Sequence, residues 1–190
     1  FEHTEFKPSY DWFEERDKMI GDHGIVVPQA TEFRSSLEYL SEDDVQRTTF
    51  DMMDYPEVVG EFLSVLREKN IEATKVAVES PAKYFNIWED SSTTLLSPAL
   101  FEEYVLPEFA EFTKIINGAG KQLIHHACGH IKALLPLMAT ENVAAFESLT
   151  PVSTGNIQMC DCAAAWGDKF LMIGGLDPMF LIQCSEAELT

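Results

Sequence analysis

The sequence predicts an α/β fold in which helices cover a parallel sheet, and three observations carry that prediction. From residue 25 onward, short apolar runs alternate with amphipathic helical patterns, strand then helix. The strand candidates are separated mostly by crossovers of about 20 to 30 residues, too long for hairpins and long enough for the helix a parallel connection needs. Polar residues capable of chemistry stand at the carboxyl ends of successive predicted strands, where α/β sheets place their sites.

Residues 1–24 mix polar and aromatic side chains without a clean period. Tyr10 to Met19 reads as a helix with Trp12, Phe13 and Met19 as its apolar contribution, and Gly21 and Gly24 punctuate the turn behind it. Ile25-Val26-Val27, closed by Pro28, reads as a short buried strand. Phe33 to Leu40 reads as a helix, and Ser41 with Asp44 makes a capping-box pattern for the next. Pro56 suits the first turn of a long helix whose stripe is Val59, Phe62, Leu63, Leu66 and Ile71. That helix can continue to Val78 before Pro81 stops it.

Tyr84 to Trp88 is the next strand, ending on Glu89-Asp90. Pro98 opens a helix with Phe101, Tyr104, Val105, Phe109, Phe112 and Ile116 on its apolar face, and Pro107 inside it predicts a kink or a break. Gly118 and Gly120 end it. Gln122 to Ile124 then leads into His125-His126-Ala127-Cys128-Gly129-His130. Ile131 to Glu141 is expected to be helical, Val143 to Glu147 a strand, and Cys160 to Trp166 a short helix. Lys169 to Ile173 is a strand ending at Gly174-Gly175-Leu176-Asp177-Pro178.

A chain of 190 residues, 46% hydrophobic and 24% charged, can bury one good core, so residues 1–190 are expected to form a single domain. With 32 carboxylates against 13 Lys and Arg, the net charge is −19 and no basic patch is visible. That excludes a nucleic-acid partner. The apolar runs are too short to span a bilayer, and no stretch near the start has the pattern of a signal peptide. Cys128, Cys160, Cys162 and Cys184 form no CxxC pair. They do not suggest a disulfide framework, and a cytoplasmic location is expected.

The strand-end rule selects Glu89, Asp90, His126, Cys128, Glu147 and Asp177. If Ile124 to Cys128 is extended, alternation puts His126 and Cys128 on one face and His125 on the other, toward the core. A thiolate and an imidazole presented together are suitable zinc ligands, although they supply only two. The alternative is a small buried Cys128 and a hydrogen-bonded His126. Glu89 and Asp90 could position an acceptor, take up a proton or contact the metal; a turn or cap role is the alternative. Asp177 follows two glycines that could admit a ligand closely, or else forms a turn before Pro178. His130 follows His126 at helical spacing, and would face it only if a helix has begun. Cys160 and Cys162 read as packing residues, while Cys184 is the in-chain thiol that could stand in as a third ligand.

Several of these stretches together resemble the uroporphyrinogen decarboxylase-like superfamily, in its corrinoid-dependent, zinc-containing methyltransferase branch. They are HHACGHIKALLPLM, IWEDSSTTLLSPALFEEYVLPEF (87–109), WGDKFLMIGGLDP (166–178) and, more weakly, LEYLSEDDVQRTTFDMMDYPEVV (37–59), collinear over residues 25–190. The resemblance implies a (β/α)8 TIM barrel with its site at the carboxyl ends of the strands. It also implies zinc held by His126, Cys128 and a later cysteine, which by order should lie beyond Thr190. A methyl group would pass between a corrinoid carried by a partner protein and a thiol or similar acceptor. A complete barrel needs about 250 residues. The sequence offers about five strands, and the capping-box pair Ser185 and Glu188 stands just before Thr190. A segment of a longer protein, one that could self-associate through uncovered faces, is therefore expected. Two rivals remain: a metal-free decarboxylase of the same superfamily, and a non-catalytic barrel that binds a corrinoid or a protein.

Overall fold

The computed structural model describes residues 2–30, 35–41 and 44–188. Four parallel strands form one sheet in sequence order: β1 Tyr84–Trp88, β2 Gln122–His126, β3 Ala145–Leu149 and β4 Leu171–Gly174. The helices before, between and after them are α1 Asp11–Ile20, α2 Ser36–Ser41, α3 Val45–Asp54, α4 Pro56–Ala77, α5 Pro98–Leu100, α6 Leu106–Gly118, α7 Leu135–Met138, α8 Met159–Trp166 and α9 Pro178–Gln183.

Alternation along the strands divides the sheet into two faces. Phe85, Ile87, Leu123, His125 and Phe146 are buried. They share a core with Leu63 of α4, Phe109, Phe112 and Ile116 of α6, and Trp166 of α8. Phe146 stacks on Trp166 at 4.5 Å and meets Phe170 edge-on at 4.9 Å, centroid to centroid. The opposite face carries Asn86, Trp88, Ile124, His126 and Glu147. The register sets Trp88 beside His126, and His126 beside Glu147, in one row across three strands.

The helix expected from Pro98 with a break near Pro107 is one helical run with a local widening. A π-turn, Phe101–Val105, joins α5 to α6 and ends just before the proline, whose ring and missing N–H an unbroken α-helix could not accept.

Several expectations need correction. Ile25-Val26-Val27 is not a strand: the pairing lies downstream, where Asn86 N–H donates to Pro28 O and Ala30 N–H donates to Asn86 O around a single bridge at Gln29. Three apolar residues did not suffice, and Ile25 is exposed. In α1 only Phe13 is buried, with Trp12 and Met19 on the solvent side. The helix expected from Ile131 to Glu141 is a 3-10 turn, Lys132–Leu134, followed by the single turn of α7. Beyond β4, Pro178 opens α9, which the sequence reading did not include.

The start of the helix expected at Phe33 and the Ser41 side chain of the capping box lie outside the described residues. Ser41 closes α2 rather than opening the next helix, and Asp44 is itself the N-cap of α3, accepting from Arg47 N–H at 2.9 Å. Among the described residues, no helix is long and apolar enough to cross a membrane.

Candidate metal centre

Asp90, His126 and Cys128 meet at the carboxyl end of the sheet, with one ligand atom from each within 4.8 Å of the others. His126 ends β2 and Asp90 lies two residues past β1. Ala127 N–H still donates to Glu147 O, so the strand conformation carries through to Cys128 and keeps it on the His126 face. The Cys128 thiol donates to Asp90 Oδ1 at 2.9 Å, and His126 Nε2 lies 3.6 Å from the same oxygen.

His126 is held in place from behind. Its Nδ1 donates to Glu147 Oε1 at 2.5 Å, and Asn86 Nδ2 donates to that oxygen at 3.1 Å. An imidazole fixed through Nδ1 presents Nε2 to the site, the arrangement metal-binding histidines commonly use. Trp88 is half-exposed and tilted beside His126, 6.1 Å between centroids, as one wall of the site.

The electrostatics favour a cation. Burial pushes the Cys128 thiol up to about 12, and the Asp90, Glu38 and Glu147 carboxylates add to that shift. A divalent ion would reverse it, because it stabilises the thiolate those carboxylates disfavour. The mixed sulfur, nitrogen and oxygen donor set fits zinc.

The two ligand-bearing loops are stitched together. Ser92 Oγ accepts from His130 N–H at 3.0 Å, and Thr93 donates to His130 O from both N–H, at 3.0 Å, and Oγ1, at 2.7 Å. Gly129, at φ +92°, lies so close to Ser92 that a Cβ there would stand 2.7 Å from Ser92 Cβ. The backbone polar atoms of His130 serve this seam, and helix begins only at Lys132. The helical spacing considered between His126 and His130 is therefore not realised.

The other candidates are not among the three whose ligand atoms converge. Glu89 is fully buried, accepting from Ser35 N–H at 2.9 Å. Burial, with the Glu38 carboxyl beside it, raises it well above the ordinary carboxylate range. Asp177 caps α9 through Met179 N–H at 2.8 Å and also accepts from Ser153 and Thr154. These hydrogen bonds, the Thr154 hydroxyl first, hold it well below the usual range. The close approach expected at Gly174 and Gly175 belongs to the chain itself: Cβ atoms there would meet Leu149 and Met159. Cys162 is buried, Cys160 exposed, and the Cys184 thiol faces Leu181 O at 3.8 Å. His125 is buried, as strand alternation predicts.

Sequence reasoning placed Glu147 at a strand end, whereas β3 runs on to Leu149; it gave Glu147 no role, and it missed Asn86 and Glu38. Asn86 had a usable signal, since alternation from Trp88 puts it on the site face. Glu38, whose carboxylate accepts from Asp90 N–H at 3.1 Å, had none.

A model of the uroporphyrinogen decarboxylase (URO-D) family matches residues 36–190. Among solved structures, the chain is similar to a methyltransferase from Methanosarcina mazei, with a TM-score of 0.65 and 16% sequence identity, over 85% of this chain and 46% of that one. The chain thus spans less than half the length of that relative. No curated protein matches it in sequence.

Proposed function

Because this chain belongs to the uroporphyrinogen decarboxylase (URO-D) family, sharing its (β/α)8 architecture incompletely as four parallel strands, we propose that it is the zinc-holding part of a methyltransferase acting between a corrinoid protein and a thiol or similar acceptor. The observation that carries the proposal is the convergence of Asp90, His126 and Cys128 at the strand ends. The fold likeness to a methyltransferase supports it.

His126 and Cys128 would hold the zinc, with Asp90 as the third donor offered by the described residues. When bound, zinc would lower the pKa of a thiol acceptor so that its thiolate is present at neutral pH. The chain's own residues prepare that site. Glu147 and Asn86 orient the imidazole, and Asp90 already accepts the thiol hydrogen that Cys128 must release to become a ligand. Trp88 offers an apolar wall that limits water on one side. The corrinoid would belong to a partner protein docking at the carboxyl-end face, and the charge of −19 argues against nucleic acid as a partner.

The family description names a decarboxylase instead. A polycarboxylate substrate would meet the carboxylates of Asp90, Glu38 and Glu147 here, which is electrostatically unfavourable. The experiment is methyl transfer from methylcobalamin to a small thiol by the zinc-loaded protein. Transfer that is lost in Cys128→Ser is the expected result. Porphyrinogen decarboxylation without metal, and no methyl transfer, would replace this reading with the other.

A further inference from the structure

Behind the metal centre, on the helix-facing side of the sheet, lies a chain of three buried polar side chains. Glu141 Oε2 accepts from His125 Nδ1 at 2.9 Å, and His125 Nε2 meets Ser91 Oγ at 2.9 Å. Ser91 and His125 are wholly buried, and the Glu141 side chain is 2% exposed. With hydrogen on Nδ1, the imidazole donates to Glu141 and its Nε2 accepts from the Ser91 hydroxyl. The imidazole is wedged between Phe109, at 4.4 Å, and Phe146, at 5.2 Å, so it has little freedom to tilt.

Burying three polar groups in an aromatic core is costly unless they are partnered. Phe or Leu at position 125 would fill the volume without that cost. The arrangement ties three separate places together: the turn after α7 through Glu141, β2 through His125, and the loop after β1 through Ser91. Ser91 directly follows Asp90, and His125 directly precedes His126. Backbone geometry tightens the link, since Ser91 N–H donates to Glu89 O at 2.8 Å and Ser92 N–H to Asp90 O at 2.6 Å. A shift of Ser91 therefore moves Asp90.

We propose that Glu141, His125 and Ser91 are positioning residues that hold the Asp90 loop against the Cys128 loop, so that the third donor is in place before a metal arrives. None of the three touches the metal position. The role in metal binding rests on the zinc reading above, while the anchoring of the loop does not.

The test uses the full chain with Ser91→Ala and Ser91→Thr. Without metal, hydrogen–deuterium exchange of segments covering residues 88–96 is expected to rise in Ser91→Ala, to stay near wild type in Ser91→Thr, and to be unchanged over α4. Zinc affinity should fall about tenfold in Ser91→Ala, the low end of what supporting residues contribute. In an Asp90→Ala background the same substitution should have no further effect, a coupling that general loss of stability would not produce. Unchanged exchange in Ser91→Ala overturns the proposal, as does an affinity loss of equal size with and without Asp90. If exchange rises but the wild-type chain takes up no zinc, the anchoring stands and the zinc reading falls.

Discussion

Gly129→Ala is expected to lower zinc affinity by about 10- to 100-fold although it removes no ligand, the range seen when support behind a metal ligand is lost. Two costs coincide at this position. A φ of +92° is strained for any residue with a Cβ, and the added atom would stand 2.7 Å from Ser92 Cβ and 2.8 Å from Ser92 Oγ. Ser92 must move, and it lies two residues from Asp90 in the loop that faces Cys128. Gly120→Ala is the matched control. At φ +71° it carries similar backbone strain, but nothing lies within 4 Å of its Cβ position. It should cost stability and leave zinc affinity unchanged. Calorimetric titration of both variants reads the difference.

Phe146→Ala should destabilise the fold by about 3–5 kcal/mol, the cost of emptying a large aromatic from a packed core. Its ring is fully buried in β3 and touches Trp166, Phe170 and His125. A domain of this size is stable by only about 5–15 kcal/mol, so the loss is a large share of the total. Urea denaturation should show a lower midpoint. An unchanged midpoint would mean that the aromatic cluster is not the main joint between sheet and helices.

Much of this architecture was legible because its signals are local. Tyr84–Trp88 is a short, mostly apolar and aromatic run bounded by Pro81 and by Glu89-Asp90, and the strand observed is Tyr84–Trp88. Alternation along β2 also placed His125 in the core and His126 with Cys128 on the other face. The strand-end rule brought in Asp90, because parallel strands necessarily deliver their carboxyl ends to one edge. Glu141 and Ser91 were not legible. A glutamate at the end of an expected helix and a serine in a polar loop look like solvated residues until the fold buries both against His125. The apolar run at Ile25 misled for the opposite reason. It had the composition of a strand, but the edge of β1 pairs around Gln29, which no local pattern marks.

If Asp90, His126 and Cys128 form a zinc site, zinc titration of the chain across pH reads it out. The Cys128 thiol, pushed up to about 12, is neutral near pH 7 and must lose its proton to bind. Protons therefore compete with the metal, and apparent affinity should rise as pH rises, by about tenfold per unit for one displaced proton. One equivalent of zinc is expected to bind with that slope in the wild-type chain, and both the binding and the slope are expected to be lost in Cys128→Ser. No zinc uptake by the wild-type chain, or equal uptake by Cys128→Ser, would contradict the zinc reading.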